Sequence, residues 1–343
     1  MNESVIKFHD SINASHCILV ITHVGPDPDA FCSLLLMGTT LQANYPDKRI
    51  IMSSEEQTGD LEFLSGYSRI EIQPLSDALE KTKPDLIIIV DAMNLTRCTR
   101  LDVEPILRTI KNEGIKVAII DHHEAVDVEQ NEVYINQASP AAVQDVYEVL
   151  FDHLKLKKPD GYGQTTMLGL YADTGGFVYD NKRYKDTFRL IGDLIASGVS
   201  IEDVASRLYR YSEDTMRAFA EICKNIDHQD SYSYSYISDD FTAAWQADDK
   251  NFDDLKMAVG HFVDSYIRNI EDRNWGFVVY RDLPGGDNLY GVSMRATSGQ
   301  MDVSMIANKL GGGGHKPAAG AKIKAQNVQE ALAAVKSAIE QVK

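Results

Sequence analysis

Acidic and imidazole side chains collect at four places in this 343-residue chain, and three of those places directly follow a strongly apolar run. The clearest is the segment KVAIIDHH, residues 116–123, in which an apolar run that predicts a buried strand is followed by Asp121, His122 and His123. An acid and two imidazoles are costly to bury at a strand end unless they are paired or bind a cation. The triplet therefore favours a functional site over a purely structural one.

The other three places carry side chains of the same two kinds. They are the segments THVGPDPDAFCS, LIIIVDA and LYADTGGF, with the candidate residues His23, Asp27, Asp29, Asp91 and Asp173. Taken singly, an aspartate after a strand is more often a cap or turn residue than a ligand, and Asp29 is also a candidate N-cap of the next helix. The common placement of these residues is what favours a functional site.

Mixed carboxylate and imidazole groups suit Mn²⁺, Mg²⁺, Fe²⁺ or Zn²⁺ rather than a metal bound by soft thiolates. The candidate ligands outnumber those that one tetrahedral zinc ion uses. The pattern therefore favours a pair of divalent cations bridged by a shared carboxylate. Two cations about 3.5–4 Å apart can activate a water molecule and stabilise the leaving oxygen of a phosphoryl group.

A run of four glycines precedes His315 in the segment KLGGGGHKPAAG, residues 309–320. Glycines permit close approach of the backbone to an anion. The spacing is not that of a P-loop, and the run ends a predicted helix instead of opening one. A helix end needs only one glycine, so the longer run indicates contact with an anionic ligand.

Apolar runs predict strands at residues 16–24, 49–54, 85–92, 116–123 and 131–137. Because the runs are continuously apolar rather than alternating, the strands are expected to be covered on both faces, as in a parallel sheet. Helical segments between several of them, such as residues 30–45, predict a doubly wound α/β domain. Ligands bind outside the carboxyl ends of the strands in such a sheet, so three of the polar places are expected to meet in one crevice.

From residue 141 the sequence shows helical periodicity, and its last third predicts the strands and helices of a smaller α+β domain. The repeat SYSYSYIS at residues 231–238 alternates strictly, which predicts a strand with one face in water. Stacking of its tyrosines on nucleobases is an alternative. We predict a first domain over residues 1–190, a helical connector over 191–230 and a second domain over 231–343.

The formal net charge is −17, because 51 acidic residues face 34 basic ones. Binding of long duplex nucleic acid requires a basic face that displaces counterions, so the composition disfavours it. A small anionic substrate held by a few basic groups or by bound metal is still allowed.

The start of the chain shows no apolar signal core, and no stretch approaches the roughly 20 apolar residues of a membrane span. These observations predict residence in the cytoplasm and no membrane association. The chain has four scattered cysteines, which predict reduced thiols rather than a zinc or redox motif.

The chain resembles the DHH phosphoesterase superfamily, in the branch that carries a DHHA1 C-terminal domain. Five segments carry the resemblance in order: THVGPDPDA, IIIVDA, IDHH, YADTGGF and GGGGHKPAAGA. Within the branch the chain is most similar to the nanoRNase/pAp phosphatase group, which is often described as exopolyphosphatase-related. The resemblance implies a DHH domain with a mainly parallel doubly wound sheet over residues 1–190 and a substrate-binding DHHA1 domain over 231–343.

The resemblance implies a dinuclear site, usually of manganese, in which Asp91 bridges the ions. One ion would be held by His23, Asp27 and Asp91, and the other by Asp29, Asp91, His122 and Asp173. His123 would face the substrate phosphate as a hydrogen-bond donor or general acid. Asp121 would orient an imidazole from behind the ligands, a role that metal sites commonly require.

In the DHHA1 domain the resemblance assigns substrate binding to Arg295 and His315. The backbone N–H groups of Gly312, Gly313 and Gly314 would cradle a phosphate. The chain departs from the family pattern at several positions, which are Pro28, Cys32, Glu124, Ala125, Val126 and Ala296. Glu124 and Ala125 mark the part of the pattern from which substrate preference is least predictable.

The implied activity is hydrolysis of short oligoribonucleotides (nanoRNA), of adenosine 3′,5′-bisphosphate (pAp), or of both, by a hydroxide activated by two metal ions. Alternatives within enzymes are a phosphodiesterase for linear or cyclic dinucleotides and an exopolyphosphatase or pyrophosphatase. A non-catalytic nucleotide-binding regulator is an alternative of another class. The sequence leaves a homodimer open.

Overall fold

A computed structural model of the chain describes residues 3–58, 61–123, 133–178, 181–208, 210–229, 231–286, 288–297 and 299–342. The chain divides into two compact units, Met1–Tyr209 and Arg210–Lys343. The limits that the sequence predicts for a connector at residues 191–230 stay a prediction. No helix in the described ranges is both long and apolar enough to cross a membrane.

The first unit is built on a six-stranded sheet. Its strands are β1 (Cys17–Ile21), β2 (Arg49–Ser54), β3 (Ile70–Ile72), β4 (Leu86–Val90), β5 (Lys116–Ile120) and β6 (Val133–Ile135). The spatial order is β3-β2-β1-β4-β5-β6, and each neighbouring pair is parallel. The predicted parallel sheet is therefore confirmed, and each predicted strand is present.

Helices of the first unit lie between these strands and after them. They are α1 (Glu3–Ala14), α2 (Pro28–Asn44), α3 (Leu75–Thr82), α4 (Glu104–Glu113), α5 (Ala142–Tyr147), α6 (Tyr162–Asp173), α7 (Tyr184–Ala196) and α8 (Ile201–Leu208). Short 3-10 helices occupy Tyr67–Arg69 and Leu95–Arg97, and a π-helical turn, Glu148–His153, continues α5.

Alternate residues of the central strands enter two separate cores, one on each face of the sheet. In β1, Ile18 and Val20 belong to the core on one face, and Leu19 and Ile21 belong to the core on the other. A strand buried on both faces has no wet positions to alternate with, which explains its continuous apolar sequence. The doubly wound α/β class predicted from these runs is confirmed.

Helix α6 packs against the start of α2, and a glycine permits the approach. A Cβ atom on Gly169 would lie 2.8 Å from Asp29 Oδ1 and 3.1 Å from Cys32 Cβ. These distances are too short for a side chain, so glycine is required where the two helices meet. The contact brings Asp173, the last residue of α6, to the same side of the unit as the start of α2.

The second unit contains another six-stranded sheet, which is mainly antiparallel. Its strands are β7 (Asp227–His228), β8 (Ser233–Tyr236), β9 (Trp275–Arg281), β10 (Leu289–Ala296), β11 (Gly313–His315) and β12 (Ala318–Lys324), in the order β11-β12-β10-β9-β8-β7. Its helices are α9 (Glu213–Lys224), α10 (Asp239–Ala247), α11 (Phe252–Phe262), α12 (Val303–Lys309) and α13 (Val328–Glu340). A π-helical turn, Val263–Ile267, continues α11, and Leu283–Gly285 forms a 3-10 helix. The smaller α+β domain predicted from the sequence is confirmed.

The prediction that β8 has one face in water is wrong. Ser233 and Ser235 are fully buried, and Tyr232 and Tyr234 are only 6% exposed. The strand lies inside the sheet between β7 and β9, and the hydroxyl of Ser235 donates to the carbonyl of Ile222 in α9. On one side of β8, Ser235 therefore faces α9, while the tyrosines pack on the other side.

The buried tyrosines of this segment serve the core of the second unit. The ring of Tyr234 stacks on Phe277 with centroids 5.6 Å apart, and Lys336 Nζ of α13 donates to its hydroxyl at 2.8 Å. Tyr232 packs against Trp275 with centroids 4.6 Å apart. These contacts favour the structural interpretation of the repeat over base stacking.

We predict that Gly276→Ala destabilises the protein by about 1–3 kcal/mol, the usual cost of overpacking a core. A Cβ atom at Gly276 would lie 2.3 Å from the backbone oxygen of Ser233, which cannot move without disturbing β8. Gly260 in α11 has open space around its Cα, so Gly260→Ala is expected to stabilise by about 0.5–1 kcal/mol. Urea unfolding measures both variants, and equal stability of Gly276→Ala and the wild type would contradict the interior position of β8.

Candidate metal centre

The polar residues of the first unit meet at the carboxyl edge of its sheet. Strands β1, β4 and β5 are neighbours, and His23, Asp91 and the triplet at residues 121–123 follow them. The chain leaves β1 toward β2 on one side of the sheet, whereas β4 lies on the other side of β1. Parallel sheets bind ligands at such a reversal of strand order, so the site lies where the topology favours one.

Asp91 lies at the centre of this group of side chains. It is 2% exposed, and its backbone has a φ of 56°, in the left-handed region that few residues other than glycine adopt. Asp91 Oδ2 is 3.6 Å from His23 Nε2, and its Oδ1 is 3.4 Å from His122 Nε2 and 3.7 Å from His123 Nδ1. Among the described residues, Oδ1 makes no well-formed hydrogen bond. A buried carboxylate oxygen left in this state fits a cation.

The imidazoles of His23 and His122 are held in the orientation that metal ligands adopt. His23 Nδ1 is 3.0 Å from the carbonyl of Val24, and His122 Nδ1 is 3.2 Å from the carbonyl of Ser139. A carbonyl only accepts hydrogen bonds, so each Nδ1 carries a proton, and the lone pair of the neutral ring is on Nε2. Each Nε2 faces Asp91, which leaves it available to a metal ion.

Atoms able to bind a metal come together in three groups. Within each group the atoms lie within 4.8 Å of one another, and the groups are His23, Asp27 and Asp91; Asp29, His122 and Asp173; and Asp91, His122 and His123. The first two groups correspond to the two ligand sets that the family resemblance implies, with Asp91 beside both. The donor set fits divalent cations, and the assignment of each residue as a ligand stays a prediction.

Asp27 and Asp29 also fix the starts of two helices. Asp27 is the N-cap of α2, because its Oδ1 accepts from the backbone N–H of Ala30 at 2.9 Å. Asp29 accepts from the N–H groups of Ala142 and Val143, at 2.6 and 3.1 Å, in the first turn of α5. Asp29 therefore does not cap α2, the alternative that the sequence left open. Its buried carboxylate fastens a second helix to the site.

Burial, together with repulsion between neighbouring carboxylates, raises the pKa of Asp27, Asp29 and Asp173. Burial raises the pKa of Asp29, and the charges of Asp91 and Asp173 raise it further. Burial also raises the pKa of Asp173, to about 6, although His122 lowers it in part. These shifts favour the protonated, neutral form of the carboxyl groups when no metal is bound.

Asp91 shows the opposite shift. Burial would raise its pKa, but the contacts with His122 and His23 outweigh burial and lower the pKa to about 2. Burial likewise lowers the pKa of His122, but Asp91, Asp29 and Asp173 outweigh it and raise the pKa well above its usual value. The metal-free cluster thus holds protons on imidazole, and metal binding is expected to release them.

His123 lies near the predicted metal ligands, but the closest polar contact of its ring is with Asp121. Its Nδ1 is 2.8 Å from Asp121 Oδ1, and the hydroxyl of Tyr134 donates to Asp121 Oδ2 at 3.4 Å. This hydrogen bond to the buried Asp121 raises the pKa of His123, whose side chain is 44% exposed. The arrangement gives an oriented imidazole that can donate a proton near neutral pH.

In the second unit, the structure places Arg295 and His315 on the same face of the sheet. Arg295 of β10 and His315 of β11 are both directly opposite Ala318 of β12. Directly opposed residues of antiparallel strands point to the same side, so the two Cα atoms are separated by two strand spacings, about 10 Å. Arg295 Nε donates to Asp264 Oδ1 at 2.6 Å, which fixes the direction of its guanidinium.

Close packing accounts for two of the four consecutive glycines. A Cβ atom on Gly312 would lie 2.1 Å from the backbone oxygen of Gly320, and one on Gly314 would lie 2.6 Å from that of Ala318. The approach of β11 to β12 therefore requires glycine at both positions. The length of the run is therefore not by itself a sign of anion binding. Gly313, two residues before His315, has no such steric requirement.

Sequence reasoning missed Ser139 and Asp264. Ser139 contributes a backbone carbonyl to His122, and a backbone group leaves no signal in the residue type. Asp264 lies in the π-helical turn after α11, where it looked like any acid of a predicted helix. Ala296 is fully buried, whereas the departures from the family pattern at residues 124–126 lie outside the described residues.

Two family models match the chain, one for the "DHH family, N-terminal domain" at residues 17–172 and one for the "DHHA1 domain" at residues 229–341. The curated relatives include the "bifunctional oligoribonuclease and PAP phosphatase NrnA" of Bacillus subtilis, which is 24% identical over 91% of this chain and 91% of the relative. The matched residues therefore extend over both units.

Solved structures share the fold at low sequence identity. An exopolyphosphatase-related protein from Bacteroides fragilis is 19% identical, with a TM-score of 0.77 that covers 98% of this chain and 96% of that chain. The exonuclease RecJ bound to manganese is 15% identical, with a TM-score of 0.51 over 99% and 93%. With both family models matched in the expected order, the chain belongs to the DHH family of phosphoesterases and carries a DHHA1 domain.

Proposed function

We propose that the protein is a phosphoesterase dependent on divalent metal that hydrolyses short oligoribonucleotides, adenosine 3′,5′-bisphosphate, or both. The observation that carries the proposal is the buried carboxylate of Asp91, which His23 and His122 approach with Nε2 while its Oδ1 lacks a hydrogen bond within the described chain. The substrate class follows from the Bacillus subtilis relative, whose name states both activities.

Two cations would be held by the groups that the structure brings together. One set consists of His23, Asp27 and Asp91, and the other of Asp29, Asp91, His122 and Asp173. Manganese is the proposed metal, because carboxylate and imidazole ligands suit it and because the similar RecJ structure contains it. When bound, such a pair supplies an activated water and offsets the charge of a phosphoryl group.

The protein's own catalytic groups in this proposal are His123, Asp121 and Asp91. Asp121 holds His123 through Nδ1, so the proton available to the substrate phosphate is on Nε2. The exposed fraction of His123 makes it accessible to a substrate, whereas the metal-facing His122 is 15% exposed. Asp91 keeps its charge between the two ligand sets because its pKa is low.

In the second unit, Arg295, His315 and residues 312–314 are proposed to bind the substrate. A guanidinium presents a planar fork of donors that matches a phosphate, and Arg295 and His315 share one face of the sheet. A binding surface formed by a few such groups selects short substrates. The net negative charge of the whole chain agrees with a preference for short substrates.

A substrate panel with Mn²⁺ tests the proposed function. It comprises RNAs of two to ten or so nucleotides, adenosine 3′,5′-bisphosphate, linear and cyclic dinucleotides, pyrophosphate and polyphosphate. Turnover of the short RNAs or of the bisphosphate, lost on chelation and restored by Mn²⁺, supports the proposal. Preference for polyphosphate or for cyclic dinucleotides would contradict it, and metal binding without any turnover would indicate a nucleotide-binding regulator.

Asp91→Asn is expected to lower kcat/KM by more than about 100-fold. Substitution of residues that only hydrogen-bond to metal ligands already lowers metal affinity or activity by about 10–100-fold. Asp85→Asn is the matched control, because Asp85 lies at the other end of β4 and accepts from the N–H groups of His16 and Cys17. The kinetics of both variants are compared under saturating Mn²⁺. An Asp91 variant as active as the Asp85 variant would refute the bridging role.

Arg295→Ala is expected to raise KM for short RNA roughly 10–100-fold with a smaller effect on kcat, because a hydrogen bond to a charged group contributes about 1.5–3 kcal/mol. Arg217→Ala removes an arginine of the same unit that pairs with Glu213 on the surface of α9, and it serves as the control. A fall in kcat at unchanged KM would remove Arg295 from substrate binding.

Asp173→Asn is expected to stabilise the metal-free protein at pH 8 and to weaken its stabilisation by Mn²⁺. The folded-state pKa of Asp173 is raised to about 6, so the ionised carboxylate costs stability above that pH and the cost disappears as the pH falls below it. Thermal unfolding at pH 5 and pH 8, with and without Mn²⁺, measures both effects. If the metal-free wild type is more stable than Asp173→Asn at pH 8, the ionised Asp173 carboxylate does not destabilise the protein and the prediction is wrong.

A further inference from the structure

Arg183 occupies the N-cap position of α7, and its side chain is 22% exposed. Its guanidinium connects two parts of the first unit. Nη1 donates to Ser139 Oγ at 2.6 Å and is 3.4 Å from the carbonyl of Gln137. Nη2 donates to both carboxylate oxygens of Glu148, at 2.9 and 3.1 Å.

The segment that Arg183 contacts, residues 137–139, connects β6 to α5 and supports a predicted metal ligand. The carbonyl of Ser139 accepts the hydrogen bond from His122 Nδ1, at 3.2 Å. Ala138 has a φ of 54°, which strains a residue with a side chain and persists only where neighbouring contacts impose it. The segment is therefore held in one conformation by contacts outside itself.

Charge also fixes Arg183 in this place. Beside the bond to Glu148, Nη2 lies 3.4 Å from Asp186 Oδ2, and Nη1 lies 3.8 Å from Asp145 Oδ1. Asp145 is fully buried, and its Oδ2 accepts from the N–H of Gln137 at 3.0 Å. The planar guanidinium of Arg183 thus links Glu148 and Asp145 to the segment 137–139. The single ammonium group of a lysine cannot make these contacts in the same geometry.

We propose that Arg183 is a positioning residue of the metal centre. It holds the segment 137–139 so that the Ser139 carbonyl fixes the ring of His122 and directs Nε2 toward the metal. The inference rests on the proposed function, because it requires His122 to be a ligand. Arg183 touches neither metal nor substrate in this role and acts through the segment 137–139.

A purely structural role, in which Arg183 only ties α7 to α5, makes different predictions. Thr187 forms such a tie, since its fully buried hydroxyl donates to Gln144 Oε1 at 2.7 Å and lies 3.2 Å from the backbone carbonyl of Arg183 in the preceding turn of α7. Thr187→Val is therefore the matched control. Ser139→Ala removes the side-chain acceptor of Arg183 but keeps the Ser139 carbonyl and the Arg183–Glu148 pair.

The test measures Mn²⁺ affinity, from the spin-resonance signal of the free ion, together with thermal unfolding of the full-length protein. Arg183→Met and Ser139→Ala are expected to bind Mn²⁺ about 10–100-fold more weakly, with Arg183→Lys between Arg183→Met and the wild type. Thr187→Val is expected to lower the unfolding temperature while its Mn²⁺ affinity stays within about twofold of the wild type. If Arg183→Met unfolds, Ser139→Ala and Arg183→Lys carry the test.

The NMR signal of the His122 imidazole supplies a second readout, measured with Mg²⁺ in place of Mn²⁺. Loss of the Nδ1–H hydrogen-bond signal in Ser139→Ala, but not in Thr187→Val, is expected. Unchanged Mn²⁺ affinity and an unchanged His122 signal in the Arg183 and Ser139 variants would overturn the inference and leave the proposed function intact. A wild type that binds no divalent cation would instead refute the proposed function.

Discussion

A buried negative charge at Asp91 is the constraint around which the first unit is arranged. Three imidazoles lie within 3.7 Å of its carboxylate, and its backbone adopts a left-handed conformation. Charge buried at this depth is costly unless positive groups offset it. The strand order, which places β1, β4 and β5 side by side, is what brings those groups to it, and the caps formed by Asp27 and Asp29 keep the flanking helices in place.

Much of this arrangement can be predicted from the sequence because it follows from local pattern. Continuous apolar runs predict the parallel strands, and the polar residues directly after them predict the edge where a site forms. The resemblance to a known family groups the same residues into two ligand sets, and the structure brings the members of each set together. Prediction from local sequence succeeds here because a residue that directly follows a strand is placed at the end of that strand by the chain itself.

Other features depend on neighbours that no short segment contains. The repeat at residues 231–238 alternates, yet both faces of β8 are buried, because α9 lies against Ser235 and the core covers the tyrosines. Gly312 and Gly314 are small because β12 lies against them. The carbonyl of Ser139 and the partner of Arg295 are likewise set by tertiary contacts. Residue types alone do not distinguish such positions from ordinary turns and helices.

The pairing of Arg295 and His315 opposite Ala318 limits how this part of the protein can vary in evolution. The strands β11 and β12 are joined by only two residues, Lys316 and Pro317, and each has its backbone carbonyl bonded to another segment. Inserting or deleting one residue in either strand would turn His315 to the opposite face of the sheet. We therefore expect homologous chains to tolerate changes of residue type in this hairpin far more readily than changes of its length.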